Sequence, residues 1–260
     1  MNHSISVDPI SIDPVSIEIC VDSLASALAA QRGGAQRVEL CSDLLEGGIT
    51  PSAGLIELVR EKMTIGLHVM IRPRGGDFCY AAEEFETMRR DIAVAKRFGV
   101  DGVVFGILKR DSGVDVERTR ELVELARPLG VTFHRAFDVS RDLIQALEDV
   151  CASGADRLLT SGGERTADQG APMIADVVKA SKSRISVMAC GGISARNAAA
   201  VIDQAGVREI HAGLRSAVED QSLLKNPRVS IGASLDKFQR FQVLEEDVRS
   251  LYRAANFAKV

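Results

Sequence analysis

Two cysteines carry the sharpest chemical signal in this 260-residue sequence. Cys20 and Cys41 occupy matching positions at the ends of two short runs rich in β-branched residues. Alternating apolar neighbours in both runs predict strands that send these two thiols to the same, inward face. Neighbouring strands lie about 4.8 Å apart, so two thiolates there could hold a soft monovalent ion such as Cu(I). Alternatively, the pair could simply be two small buried hydrophobic side chains, as free cysteines usually are.

The same alternation predicts that many titratable side chains face inward. They are Glu18, Glu39, His68, Arg72, His134, Glu209 and His211, and Thr132 faces the same way. Such groups are costly to bury unless they are paired, and barrel enzymes place their active sites where the strands end. We therefore take Glu39, His134 and Asp138 as candidate catalytic residues that move protons. The alternative is a hydrogen-bonded polar plug without chemistry.

Glycine-rich loops predict a site for a small anion. Gly162 and Gly163 follow the sixth predicted strand, and Gly191 and Gly192 follow the seventh. Glycines at the start of a helix let backbone N–H groups approach an anion, and barrels often bind phosphate after strands seven and eight. Two arginines after the third strand, Arg72 and Arg74, are candidate anion ligands. They could equally pair with nearby or inward carboxylates.

Several other chemistries lack their residues. No lysine lies on a predicted strand, so a Schiff-base aldolase is not expected. The sequence contains no H-E-x-x-H, C-x-x-C or G-x-S-x-G motif, which leaves a structural zinc site and a serine hydrolase unsupported.

Eight strand-like runs alternate with helical patterns, and this alternation must position the groups above. The runs begin near Ile17, Arg37, Gly66, Asp101, Val131, Arg157, Ile185 and Arg208. Eight such units predict an α/β fold, the (β/α)8 TIM barrel, over residues 16–260, preceded by a flexible tail over residues 1–15. An open doubly wound sheet is disfavoured because no G-x-G-x-x-G follows the first strand.

The pattern changes after the eighth predicted strand. Residues 216–234 are polar and irregular, which indicates either a surface excursion or a loop over the barrel mouth. A closing amphipathic helix is predicted from apolar residues that recur at helical spacing. These residues are Leu235, Phe238, Phe241, Leu244, Val248 and Leu251.

Composition narrows the possible partners and the compartment. The net charge is −4, and no basic patch is interleaved with aromatic residues, so neither nucleic acid nor an anionic membrane is an expected partner. No apolar run reaches the roughly 18 residues of a membrane span, and no secretory signal is evident at the start. Five scattered cysteines then favour reduced thiols and a cytoplasmic protein.

The sequence resembles the CutC copper-homeostasis family from about Ile17 to Asp236. The matching segments are Glu18–Asp22, Arg37–Cys41, Glu46–Pro51, Val69–Phe78, Thr132–Asp138 and Leu159–Gly162. The resemblance implies a (β/α)8 barrel that is cytoplasmic, often oligomeric (a dimer or tetramer) and associated with copper. It also implies that Cys20 and Cys41 are Cu(I) ligands. One departure is Cys190, which stands where the family usually has the first of three glycines.

Two hypotheses follow from these observations. In the first, the protein binds or carries copper through Cys20 and Cys41. In the second, it is an enzyme that acts on a small anionic substrate, phosphorylated or not. Arg72 and the glycine loops hold the anion, while Glu39 and His134 transfer protons.

Overall fold

Eight parallel strands close into a barrel. The computed structural model describes residues 14–218 and 240–257. Each strand pairs in parallel with the next one along the chain, and the first pairs with the eighth. The predicted (β/α)8 TIM barrel is therefore confirmed, and every strand begins within one residue of its predicted position.

The secondary-structure elements have the following bounds. The barrel strands are β1 (Ser16–Val21), β2 (Arg37–Leu40), β3 (Gly66–Met70), β4 (Gly102–Phe105), β5 (Gly130–Phe133), β6 (Arg157–Thr160), β7 (Ser186–Ala189) and β8 (Glu209–Ala212). The helices are α1 (Leu24–Gly33), α2 (Ala53–Lys62), α3 (Ala82–Arg97), α4 (Val116–Ala126), α5 (Leu143–Ser153), α6 (Ala167–Ser181), α7 (Ala198–Ala205) and α8 (Glu245–Phe257).

The main apolar core lies between the strands and the surrounding helices. On β1, Ile17, Ile19 and Val21 are fully buried in it, as are Val38 and Leu40 of β2. Each such aliphatic side chain contributes roughly 1.5–3 kcal/mol on burial. Because the apolar residues of β1 and β2 occupy alternate positions, the residues between them turn towards the barrel axis, where the polar groups collect.

Local sequence signals set the ends of several helices. The Ser23 side chain accepts a hydrogen bond from the Ser26 N–H at the start of α1, a standard N-cap. Gly34 ends the same helix in the left-handed conformation, which glycine adopts without steric cost. A Cβ atom added to Gly33 would lie 2.4 Å from Val248, so this glycine is what allows α8 to pack closely on α1.

The C-terminal region differs from the sequence prediction. Arg215–Val218 (β9) and Arg240–Val243 (β10) form a separate antiparallel pair, in which Phe241 pairs with Ala217. The prediction that Phe241 and Leu244 belong to the closing helix was wrong, because α8 begins only after them. Pairing with β9, which the helical spacing of the sequence does not reveal, sets the extended backbone here, and the Arg215 guanidinium lies 4.9 Å from the Phe241 ring centre.

Some predictions concern residues outside the described ranges. These are residues 1–13 of the predicted tail, residues 219–234 of the polar stretch, and Leu235 and Phe238. Val15, which was assigned to the tail, instead belongs to the packed structure: its side chain is buried and its N–H donates to Asn256 at 2.7 Å. No helix within the described residues is long and apolar enough to cross a membrane.

Candidate functional site

Glu18 is the centre of a charged layer inside the barrel. Its side chain is completely buried; one oxygen accepts a close hydrogen bond from Arg37 and the other lies 2.7 Å from His211 Nδ1. Burial alone would raise the pKa of Glu18, but the charges of Arg37 and His211 outweigh it and hold that pKa well below its usual range. Glu18 is therefore a permanent carboxylate that joins β1, β2 and β8.

Glu209 extends this layer across the barrel. It accepts from Arg37 at 2.8 Å and from Arg157 at 2.7 Å, so two carboxylates and two guanidinium groups alternate in the interior. Burial opposes ionisation of Glu209, yet Arg157, Ser186 and Arg37 together lower its pKa. This part of the interior matches the polar plug that the sequence left open as an alternative.

The two predicted cysteines lie side by side nearer the mouth. Cys20 Sγ and Cys41 Sγ are 3.8 Å apart, and both residues are buried. Met70 and Val104 pack against them, so the sulfur atoms share a small apolar cluster with a thioether. The inward orientation predicted for both cysteines is what brings them together.

Hydrogen bonding and nearby charge make one of the thiols acidic. The hydrogen bond with Cys41, assisted by His211 and opposed by burial, lowers the pKa of Cys20 to about 5. The same hydrogen bond, together with burial, raises the pKa of the Cys41 thiol. Burial would lower the pKa of His211, but Glu39, Cys20 and Glu18 raise it. At neutral pH the pair therefore holds one thiolate and one thiol beside an imidazolium.

Three donor atoms at this point are close enough to share one metal ion. One ligand atom from each of Cys20, Glu39 and His211 lies within 4.8 Å of the other two. Cys41 Sγ approaches this group, 3.5 Å from Glu39 Oε2. Two metal–sulfur bonds of about 2.3 Å span at most about 4.6 Å, so sulfurs 3.8 Å apart can both contact a single ion. The donor set thus fits a thiophilic metal.

A cavity of about 260 Å³ opens above the cysteines. Its lining includes Cys20, Glu39, Arg72, His134 and His211. Three buried atoms of these residues have no hydrogen-bond partner among the described residues: Glu39 Oε1, Arg72 Nε and His134 Nε2. Four of the predicted site residues thus meet at one cavity, and Cys41 lies directly behind its wall.

The tautomer of His134 follows from its backbone contact. The Ala136 N–H donates to His134 Nδ1 at 3.2 Å, so that nitrogen carries no proton. Burial and the nearby charge of Arg72 lower the pKa of His134 to about 3, so the ring is neutral at physiological pH. Its proton must then be on Nε2, which makes that atom a hydrogen-bond donor.

Arg72 is a buried cation without a carboxylate partner in the described chain. One terminal nitrogen donates to the carbonyl oxygens of Glu46 and Gly48, and the other donates to that of Gly76. Its guanidinium carbon lies 5.0 Å from the Phe78 ring centre, and the Phe78 ring lies 4.9 Å from that of His134. Phe78 therefore contacts both polar residues.

The remaining predicted anion ligands do not line this cavity. Arg74 binds Glu84 at 2.5 Å and the Asp77 carbonyl oxygen at 2.9 Å, on the surface. The carboxylate of Asp138 accepts from the backbone N–H groups of Ser161 and Gly163, at 3.0 and 3.2 Å. An acidic side chain of the protein itself thus occupies part of the loop in which an anion was expected.

Gly162 belongs to this same loop, and its N–H donates to Thr160 Oγ1 at 2.8 Å. Of the seventh-strand pair, Gly191 accepts a hydrogen bond from the Ala167 N–H at 2.8 Å, and Gly192 accepts one from Asn197 at 3.1 Å. Both residues are left-handed, which explains why glycine stands there. Cys190 is buried in a separate cluster with Leu159 and Met188.

Sequence reasoning missed two basic residues and one ligand candidate. Arg37 has the same parity on β2 as Glu39, which could have identified it, but it lies at the opposite end of the strand from the cysteines. Arg157 begins β6 and has no comparable local signal. His211 was expected to face inward but was not named as a metal ligand, because its position beside Cys20 depends on the closing pair of strands, β1 and β8.

Comparison with known proteins points to one family. The family model described as "CutC family" matches residues 15–216. A "family protein CutC" from Chromobacterium violaceum is 46% identical over 243 residues, covering 93% of this chain and 98% of that protein. The human "Copper homeostasis protein cutC homolog" is 47% identical over 219 residues, covering 84% of this chain and 80% of that protein.

Solved structures agree with this assignment. A copper homeostasis protein CutC from Streptococcus agalactiae superposes with a TM-score of 0.72 at 32% identity, covering 76% of this chain and 97% of that chain. Phosphoribosylanthranilate isomerase from Thermotoga maritima, at 14% identity and a TM-score of 0.56, shares the fold alone. The protein described here belongs to the CutC family.

Proposed function

We propose that this protein serves copper homeostasis by binding Cu(I) in the cytoplasm through Cys20 and Cys41. The observation that carries the proposal is the pair of buried sulfur atoms 3.8 Å apart. Cu(I) prefers soft sulfur ligands, a preference that it shares with Zn(II) and iron–sulfur clusters. The names of the human and streptococcal relatives, which refer to copper homeostasis, support the same ligand.

The surroundings of the sulfur atoms favour binding in two ways. The low pKa of Cys20 supplies a thiolate at neutral pH, so little proton competition opposes the first metal–sulfur bond. Met70 and Val104 pack against the two cysteines and give the sulfur atoms an apolar side. His211 and Glu39 lie next to Cys20 and are the nearest further donors.

A competition titration against a Cu(I) chelator tests the proposal under reducing conditions. Cys20→Ser and Cys41→Ser should each lower the affinity more than about 100-fold, because changes in groups that merely support a ligand already cost about 10–100-fold. Cys190→Ser is the matched control: it removes an equally buried thiol from a different cluster and should leave the affinity unchanged.

Parallel titration with Zn(II) separates the proposal from a site built on Cys20, Glu39 and His211. The Cu(I) proposal requires that Cys41→Ser weaken Cu(I) binding far more than Glu39→Gln does. The reverse order, or unchanged Cu(I) affinity in both cysteine variants, would refute it.

A further inference from the structure

The cavity above the cysteines contains polar groups that the copper proposal leaves unused. Arg72 is buried with no carboxylate partner in the described chain: its terminal nitrogens donate to backbone carbonyl oxygens, but its Nε has no hydrogen-bond partner among the described residues. A buried charge is normally paired. His134 presents an Nε2–H donor that is buried and unpaired among the described residues. Native proteins rarely leave such groups unsatisfied, so both point to a ligand.

We propose that this cavity binds a small monocarboxylate, held by the positive charge of Arg72 and the Nε2–H of His134. Both residues line the cavity, and both contact the ring of Phe78, which places them around one space. The volume of about 260 Å³ is near the lower limit of small-molecule pockets, about 300–1,000 Å³, so the ligand is small.

A carboxylate fits this cavity better than a phosphate does. Phosphate sites in barrels rely on several backbone N–H groups, but Asp138 and Thr160 already occupy those of the loop after β6. Two acidic residues, Glu39 and Glu46, also line the cavity, so a dianion would meet more repulsion there than a monoanion. The positive charge of Arg72 and the Nε2–H of His134 match a single negative charge shared by two oxygens.

The hydrogen bond from Ala136 gives His134 a different role from the one that the sequence suggested. Neither ring nitrogen is free to accept a proton, because Nδ1 accepts from the Ala136 N–H and Nε2 carries the hydrogen. A neutral imidazole instead acts as a hydrogen-bond donor that polarises or stabilises an oxygen. His134 is thus a ligand-binding group rather than a general base.

Isothermal titration calorimetry with acetate, pyruvate and inorganic phosphate tests this site on metal-free, reduced protein. Acetate and pyruvate should both bind, and each should bind more tightly than phosphate. Arg72→Gln and His134→Phe should each weaken carboxylate binding at least about tenfold, the loss expected on removing one charged or hydrogen-bonding contact. Arg74→Gln is the matched control, since it neutralises a partly exposed arginine two residues away that does not line the cavity, and it should bind as the wild type does.

A second measurement on the wild type covers the case in which a variant fails to fold. In ¹⁵N-labelled protein, the Nε2–H resonance of His134 should shift on addition of acetate. The Cys20→Ser/Cys41→Ser variant should retain carboxylate binding, which separates this site from the copper proposal. Absence of carboxylate binding, tighter binding of phosphate, equal loss in Arg74→Gln, or loss of carboxylate binding in the double cysteine variant would each overturn the inference.

Discussion

Replacement of Arg37 by methionine tests the idea that the buried charge layer stabilises the barrel. Arg37 is the only link between Glu18 and Glu209 that the described hydrogen bonds show, and its side chain is 11% exposed. Methionine retains most of the aliphatic stem but removes the cation. Among the described residues, Glu18 then keeps His211 Nδ1 at 2.7 Å and, farther away, His68 Nδ1 at 4.0 Å, while it remains fully buried.

The expected cost follows from the burial of the carboxylate that is left behind. Breaking a buried ion pair by removing one partner costs about 3–5 kcal/mol. For a domain of this size, 1 kcal/mol shifts the melting temperature by about 2–4 °C, so the midpoint should fall by roughly 6–20 °C. Arg32→Met is the matched control: Arg32 binds Glu245 at 2.8 Å but is 56% exposed, and such pairs contribute about 1 kcal/mol or less.

Urea unfolding gives the loss of free energy of unfolding in each variant, and thermal unfolding gives the fall in melting temperature. Far-ultraviolet circular dichroism can follow both, and it suits a protein without tryptophan. The Glu18→Gln/Arg37→Met variant should recover part of the loss, because it removes the unpaired charge as well as the cation. If Arg37→Met destabilises the protein no more than Arg32→Met does, or if the double variant is less stable than Arg37→Met alone, the reasoning fails.

Three further predictions concern pH, oxidation and packing. The folded-state pKa values of His68, about 4, and His134, about 3, lie below the ordinary 6.5. Below pH 6.5 the unfolded chain therefore binds protons that the folded protein does not. The stability that these two neutral histidines give should be complete above pH 6.5 and be lost as the pH falls through 4. Urea midpoints that do not decline from pH 8 to 4 would contradict this. Cys20 pairs with Glu39, so Cys41 lies two residues beyond its partner and the two Cα atoms are about 8 Å apart by strand geometry. Because this exceeds the limit of about 7 Å, the two cysteines should resist forming a disulfide under mild oxidation, and peptide mapping by mass spectrometry would reveal a cross-link if this is wrong. Gly106→Ala should destabilise the fold by about 1–3 kcal/mol in urea unfolding, because the new Cβ would lie 2.5 Å from His134 Nδ1. Gly54→Ala, whose Cβ would have nothing within 4 Å, should be neutral or slightly stabilising, and equal effects of the two substitutions would exclude the steric explanation.

The parts that could be predicted from the sequence are those that depend on local periodicity. Ile17, Ile19 and Val21 alternate regularly, so the inward direction of Glu18 and Cys20 could be inferred without any knowledge of distant partners. Phe241 shows the limit of this approach: its spacing fits a helix, but pairing with β9 decides its conformation. Local periodicity carries no information about that partner.

The candidate site depends more strongly on distant contacts. Which thiol becomes acidic is decided partly by His211, which lies 191 positions after Cys20 in the chain and beside it in the barrel. The donor character of His134 depends on a turn that presents the Ala136 N–H. Residue types alone therefore predicted the membership of the site better than the chemical state of its members.

The position of Glu18 also has a consequence for how the barrel folds. Its partner on β8, His211, is separated from it by 193 residues, while Arg37 on β2 is close in sequence. An intermediate that contains only the first strands would lack His211, one of the two close partners of this carboxylate. Partial barrels are therefore less stable than the complete ring. Closure of β1 against β8 is thus also the step that brings His211 to the Glu18 carboxylate. This coupling makes formation of the ring cooperative and favours slow opening once it is complete.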